Sequence, residues 1–298
     1  MRDVVHVDEV GPVLYKSWYG FDVHRFSYSL ASDIAFCGAK TKYSRFQGLT
    51  PTIEPAAKKF GICCEESIAD HYRFGLELEA GFAIRWNDYK EKTLKYGRYD
   101  NGWAGLNSTG IKLMRQFEFE KDDLPIHNPE FSVVLPRDPK ATWYNGTRLE
   151  YVADCISHLP TGDILIDIKT SARAYPEHDQ WPALDPQLLV GSLVSGIRRV
   201  CFITLVKTKD VRIQVLVGNV RPESLIDIDE WLKEQYDKLI NRRLHRRLGF
   251  RYPEDHCTHC DFLPLCLGNK ALADQNLRQK EARETEAQLD ELDELDEL

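Results

Sequence analysis

Residues 148–171 read RLEYVADCISHLPTGDILIDIKTS. Apolar and polar residues alternate on both sides of a short break at 158–162, the spacing of two antiparallel strands joined by a tight turn. In the second arm Asp167 and Lys169 stand two residues apart and project to one face, while Ile164, Ile166 and Ile168 project to the other. With the arms paired, Asp154 of the first arm faces them. Two carboxylates and an ammonium then meet at one end of a sheet whose opposite face is apolar. Charges on such a strand are costly unless they are paired or hold a metal.

The same kind of reading extends in both directions. Downstream, 185–197 has the pattern of a helix opened by Gln187, and 199–207 and 211–218 alternate as strands. A long helix is expected over 222–247, with Pro222 in its first turn. Upstream, 130–136 is a strand, 108–119 a helix, and 85–110 is rich in Tyr, Trp, Gly and Asn and is expected to be irregular. A proline-free segment over 56–82 carries Phe60, Cys64, Ile68 and Tyr72 at helical spacing, with Glu65 among them. A shorter helix over 28–37 has Ser29 or Ser32 for its cap. The order predicts an α/β or α+β domain around a central mixed sheet flanked by helices. It is expected to occupy 1–280, with its core over 55–220.

The chain has 298 residues, 43% of them hydrophobic and 29% charged, enough for a large core. It contains no run of 18 apolar residues and no apolar leader in MRDVVHVDEV, so no membrane span or signal peptide is expected and a cytoplasmic protein is the default. The formal net charge of -8 is poorly matched to nucleic acid, but distribution matters more than the total. Residues 281–298 hold nine carboxylates and one arginine, which accounts for the whole excess; this tail is expected to be disordered. The stretch 238–251 (KLINRRLHRRLGFR) holds no acid. Its Arg242, Arg243, Arg246 and Arg247 are candidate contacts to DNA phosphates, against the plainer reading of a solvated helix face.

Two hard carboxylates, Asp154 and Asp167, suit Mg²⁺ or Mn²⁺ with positions left for water and phosphate. Lys169 can orient the attacking water and offset developing charge. Glu65 is a further candidate carboxylate, and Gln187 a candidate for holding the water or a phosphate. The plain alternative for a D…DxK pattern is a solvated sheet face. Of eight cysteines, Cys63, Cys64, Cys155 and Cys201 sit in apolar patterns and read as core residues. Cys37, Cys257, Cys260 and Cys266 do not. Four thiolates suit an iron–sulfur cluster or a tetrahedral zinc, with His256 and His259 as alternative zinc ligands.

The stretch 130–171 resembles the RecB-type PD-(D/E)XK nucleases. Their pattern is met by Glu130, Asp154, Asp167-Ile168-Lys169-Thr170 and Gln187, with Gly61 and Glu65 upstream. Two positions depart from it: Gly191 stands where the family often has Tyr, and Asp167 where Glu is common. The chain ends resemble members with an iron staple, the AddB-like and CRISPR-associated adaptation exonucleases, through Ser29, Cys37 and Tyr43 at one end and Cys257, Cys260, Phe262, Pro264 and Cys266 at the other. The resemblance implies a restriction-endonuclease-like core, a divalent-metal-dependent exonuclease acting on DNA ends or single strands, and a 4Fe–4S cluster that joins 28–48 to 250–270. It also implies a helicase, recombination or adaptation protein as partner, since no P-loop motif is present. Competing readings are an inactive DNA-binding protein of the same fold and a zinc-bound scaffold whose acidic tail docks a partner.

Overall fold

A computed structural model describes residues 15–16, 22–23, 25–98, 100–178, 180–241, 243–246 and 255–279. The acidic tail, Arg242 and Arg247 lie outside the described residues.

The hairpin that opened the sequence reading is the centre of the molecule. Strand β3 (Arg148–Leu159) turns at Pro160–Thr161 into β4 (Gly162–Ser171). Gly162 takes a φ of +113°, which favours glycine and lets a two-residue turn close the ladder at Leu159–Gly162. Strand β5 (Arg199–Val206) runs parallel to β4, and β6 (Arg212–Asn219) pairs antiparallel with β5. Strand β2 (Glu130–Leu135) pairs antiparallel with β3, and the short β1 (Arg25–Ser27) pairs parallel with it. The sheet is therefore mixed, as expected.

Helices cover both faces. Alternation along β4 sends Ile164, Ile166 and Ile168 into a core with α2 (Ala56–Phe74), α3 (Leu78–Asn87) and α4 (Gly102–Glu120). Leu165 points the other way, into a core with α1 (Tyr28–Thr41), α5 (Pro186–Ser195) and α6 (Pro222–Ile240). Both faces of the sheet are thus removed from water, which is why β5 reads as an almost continuous apolar run. Cys63, Cys64, Cys155 and Cys201 are buried in the first of these cores, as expected.

Three element boundaries differ from the sequence reading. The helix expected over 56–82 is two helices, α2 and α3, because Gly75 ends α2 in the left-handed conformation at a φ of +69°. The segment expected to be irregular narrows to 88–101, and α4 begins at Gly102; Trp86 and Trp103 each donate an indole N–H to the other's carbonyl, at 3.1 and 3.0 Å, and tie the helices together. The long C-terminal helix stops at Ile240 and does not reach 247. The helix-capping side chain of α1 is Ser27, whose hydroxyl accepts from Leu30 N, and neither Ser29 nor Ser32.

Candidate functional site

The β3–β4 ladder runs from the turn only as far as Cys155–Ile166. Beyond that pair the strands separate, and the Asp154 side chain enters the gap: its Oδ2 accepts a hydrogen bond of 3.0 Å from Ile168 N, a donor that a continued ladder would have used. Strand β3 loses its alternation at the same point. Leu149, Tyr151 and Ala153 face the α5 side, yet so does Ile156, while Cys155 faces α2. The partner strand β2 carries Ser132 at a φ of +55° between the pairs Phe131–Cys155 and Val133–Ala153. The register of β2 on β3 is the same on both sides of this point, so no residue is inserted; the facing of the side chains changes there, and the Asp154 carboxylate turns sideways into the sheet.

Asp167 lies on β4 opposite this opening and is buried. Lys169 Nζ stands 2.7 Å from its Oδ2, and apart from that ion pair the oxygen has no hydrogen-bond partner among the described residues. The Lys169 ammonium also lies 5.2 Å from the centre of the Phe202 ring. Glu65 arrives from α2. Gly61, one turn before it, brings α2 close to the end of β4: a Cβ there would sit 3.2 Å from Thr170 Oγ1. Gln187 is the second residue of α5, where Asp185 caps the helix by accepting from Gln187 N and Leu188 N.

The three carboxylates share one electrostatic neighbourhood. Burial first, and then each other's charge, pushes Glu65, Asp154 and Asp167 up to about 7. Lys169 is the cation that pulls all three back down. Burial opposes its own charge, but Asp167 and Asp185 outweigh that and hold Lys169 above the ordinary lysine range. Three like charges taken out of water around one ammonium are a destabilising arrangement. As the side chains stand, no three His, Cys, Asp or Glu among the described residues converge closely enough to hold a single metal ion. The chemistry of the donors nonetheless fits a hard divalent cation, and Asp167 Oδ2, engaged only by Lys169 among the described residues, keeps a lone pair for one.

The second set of predicted residues is brought together elsewhere. Cys37, Cys257, Cys260 and Cys266 line one cavity, and no cysteine forms a disulfide. Cys37 interrupts α1 with extended backbone, φ -165° and ψ 109°, and the chain then resumes the helix. Gly38 follows against the backbone of 244–245, where a Cβ would lie 2.6 Å from Leu244 Cα; Ala39 N donates to His245 O. The thiols at 257, 260 and 266 come from turns around the short α7 (Leu263–Cys266). That segment is anchored by pairing of Leu277–Gln279 with Leu49–Pro51 and by the stacked rings of Tyr43 and Phe262. Residues more than two hundred positions apart are therefore neighbours. The Tyr43 hydroxyl donates to the Cys266 sulfur. His256 also lines the cavity, with its ring 5.1 Å from that of Phe36; His259 does not line it.

The basic stretch is differently placed from the sequence expectation. Residues 238–240 close α6, and 243–246 are not helical. Leu244 is buried against Gly38, and Arg246 lines the cysteine cavity, its Nη1 donating to Cys266 O at 2.9 Å. Arg243 is exposed. Sequence reasoning missed the close approach of Gly38 to 244–245 and the contact of Arg246 with Cys266; the pattern of Leu149, Tyr151, Ala153 and Ile156, which fits neither one strand face nor a helix, was the signal for the break in β3.

Among the described residues no helix is long and apolar enough to cross a membrane. No family model matches the chain, and no curated protein matches it in sequence. Two solved structures are similar to it in part. The protein SSO0001 is 13% identical, with a TM-score of 0.34, over 81% of this chain and 99% of that one. A protein of Eubacterium rectale, provisionally named an exonuclease, is 12% identical, with a TM-score of 0.44, over 78% of this chain and 88% of that one. Overlap at this level assigns the chain to no family.

Proposed function

We propose that the chain is a divalent-metal-dependent DNA nuclease, an exonuclease working on ends or single strands, with a structural 4Fe–4S cluster at its cysteine cavity. The observation that carries the reading is the gathering of buried Asp167 with half-buried Glu65 and Asp154 around Lys169, where two strands separate. A fold keeps such an arrangement only if something compensates it, and Mg²⁺ or Mn²⁺ on the three carboxylates does so. When bound, the ion acidifies a water and stabilises charge on the phosphoryl oxygens. Lys169 orients the attacking water and offsets charge that develops in the transition state. Gln187, at the exposed start of α5, holds the water or a neighbouring phosphate.

The cluster assignment rests on the donors. Thiolates are soft ligands that suit iron–sulfur clusters and zinc. A zinc ribbon would want two Cys-x-x-Cys pairs, and the chain has only the one at Cys257 and Cys260. A cubane spreads its four corners over a wider cavity, which is what the four cysteines line.

Both parts are tested on anoxically purified protein. End-labelled single- and double-stranded DNA should be degraded with Mg²⁺ or Mn²⁺ and left intact with EDTA. Broad absorbance near 400 nm and about four irons per chain are expected. Intact DNA under all metal conditions overturns the nuclease; stoichiometric zinc without iron overturns the cluster.

A further inference from the structure

We propose that Phe202 is a positioning residue of the carboxylate site: its ring fixes where the Lys169 ammonium stands, while Tyr175 and Gln214 hold the ring in place. The inference deepens the nuclease reading above and rests on it.

The parallel ladder sets the geometry. Phe202 on β5 is the direct partner of Asp167 on β4. It projects into the core on the α5 side with Leu165, the face to which alternation also sends Asp167 and Lys169. Lys169 Nζ lies over the Phe202 ring, 5.2 Å from its centre, and 2.7 Å from Asp167 Oδ2. The ammonium thus has two contacts of different kinds, one from each strand. A lysine needs both to be placed. Its charge is a compact point on a flexible four-carbon stem, and one carboxylate alone leaves it free to swing about that oxygen. The face of an aromatic ring attracts the cation from a second direction, the more strongly because the Lys169 side chain is only 25% exposed.

The ring is itself held. Phe202 is buried, and Tyr175 stacks on it with ring centres 5.4 Å apart and planes at 26°. Tyr175 belongs to the connection between β4 and α5, which pairs with no strand. Gln214 on the edge strand β6 takes the place of a ladder there: its side-chain amide accepts from Tyr175 N at 2.8 Å and donates to Tyr175 O at 2.9 Å. Contacts therefore run unbroken from the edge strand to the ammonium. Phe202 is also the one aromatic residue of β5, and it stands at the position opposite Asp167. Core filling alone would be met there by an aliphatic side chain like those on the rest of the strand.

The test is single-turnover cleavage of end-labelled single-stranded DNA by the full, anoxically purified chain with Mg²⁺ or Mn²⁺. Phe202→Leu keeps an apolar side chain and removes the ring. Its rate at saturating protein should fall about tenfold, the scale of one desolvated cation–π contact. The half-saturating protein concentration and the iron content should stay as in wild type. Gln214→Leu lies at the sheet edge, outside the buried core, and should lower the same rate about threefold through the loosened Tyr175 stack. In a Lys169→Ala background neither substitution should cost anything further, because the group they position is gone. Equal losses with and without Lys169 show a purely structural phenylalanine and overturn the proposal, as does a wild-type rate in both variants. Wild-type protein that degrades no DNA overturns the nuclease reading itself, and this proposal with it.

Discussion

The two ends of the β3–β4 hairpin use the same residue types to opposite effect. At the turn, His158 bridges Glu130 at 2.7 Å and Asp163 at 2.8 Å, and Arg137 adds a second cation to Glu130 at 2.8 Å. These groups are at least a third exposed, and the hydrogen bonds from Arg137 and His158 hold Glu130 below the usual carboxylate range. At the open end, buried Asp167 and half-buried Asp154 and Glu65 gather around one lysine and are pushed up to about 7. Folding alone accounts for the first cluster. The second lowers stability as it stands, and a local fold that accepts such a cost points to a ligand or a reaction.

Lys169 is where the difference should be largest. Lys169→Ala removes the cation common to all three carboxylates and the group assigned to the transition state. Cleavage should fall by about 10²–10³-fold, while circular dichroism and iron content stay as in wild type. His158→Ala, at the other end, should leave cleavage untouched. Equal rates for Lys169→Ala and wild type in a single-turnover assay break the contrast.

The cysteine cavity extends the comparison to a site that depends on backbone fit more than on charge. Gly38 has no room for a side chain, because its neighbour is the Leu244 backbone and cannot rotate away. Gly38→Ala should destabilise the protein by about 2 kcal/mol, the cost of overpacking, and should lower iron content while Lys169 and its carboxylates keep their places. Iron content equal to wild type, with an unshifted denaturation midpoint, would show that the approach of α1 to 244–245 is not part of the cavity's assembly.

Asp167→Asn probes the electrostatic cost directly. The amide keeps the shape and removes one of three like charges but takes the ion-pair partner from Lys169; because burial and like charge outweigh that pair at Asp167, metal-free stability should be unchanged or slightly higher as cleavage is lost. Glu130→Gln removes a satisfied carboxylate and should lower stability slightly without affecting cleavage. A metal-free Asp167→Asn protein that denatures earlier than wild type in urea would mean that the open end is as well compensated as the turn.

Much of this architecture was legible from residue order. Short apolar and alternating runs rich in Val, Ile and Leu, bounded by Gly, Pro and Asp, located β2 to β6 to within two residues at either end. Pro186 and Pro222 stand at the helix starts, where a missing N–H costs nothing. Asp154, Asp167, Lys169 and Glu65, which share one electrostatic neighbourhood, were singled out by alternation and motif together. The parts that were not legible depend on single backbone events. Cys37 leaves helical geometry inside a helix, Asp154 shifts the phase of β3, and the basic stretch ends α6 instead of prolonging it. Each is decided by a contact across the fold, such as Gly38 on Leu244, which no local window contains.

The smallest effect expected belongs to His158, and its sign follows from the direction of its shift. The hydrogen bonds from its ring to Asp163 and then Glu130 raise it above the ordinary histidine value. A group with a raised folded pKa contributes its full stability below the unfolded value, near 6.5, and loses it as pH rises through the folded value. Glu130 runs the other way, contributing above the ordinary carboxylate range and losing that as pH falls. The bridge should therefore be strongest in mildly acidic solution and weaken above neutrality. Exposure limits it to under about 1 kcal/mol, and salt should reduce it further. Melting temperatures of wild type and His158→Ala should differ more at pH 6 than at pH 8.5, and the gap should narrow in high salt. A constant difference across that range would mean that His158 acts by packing alone, and that the turn end owes its depressed carboxylate to Arg137.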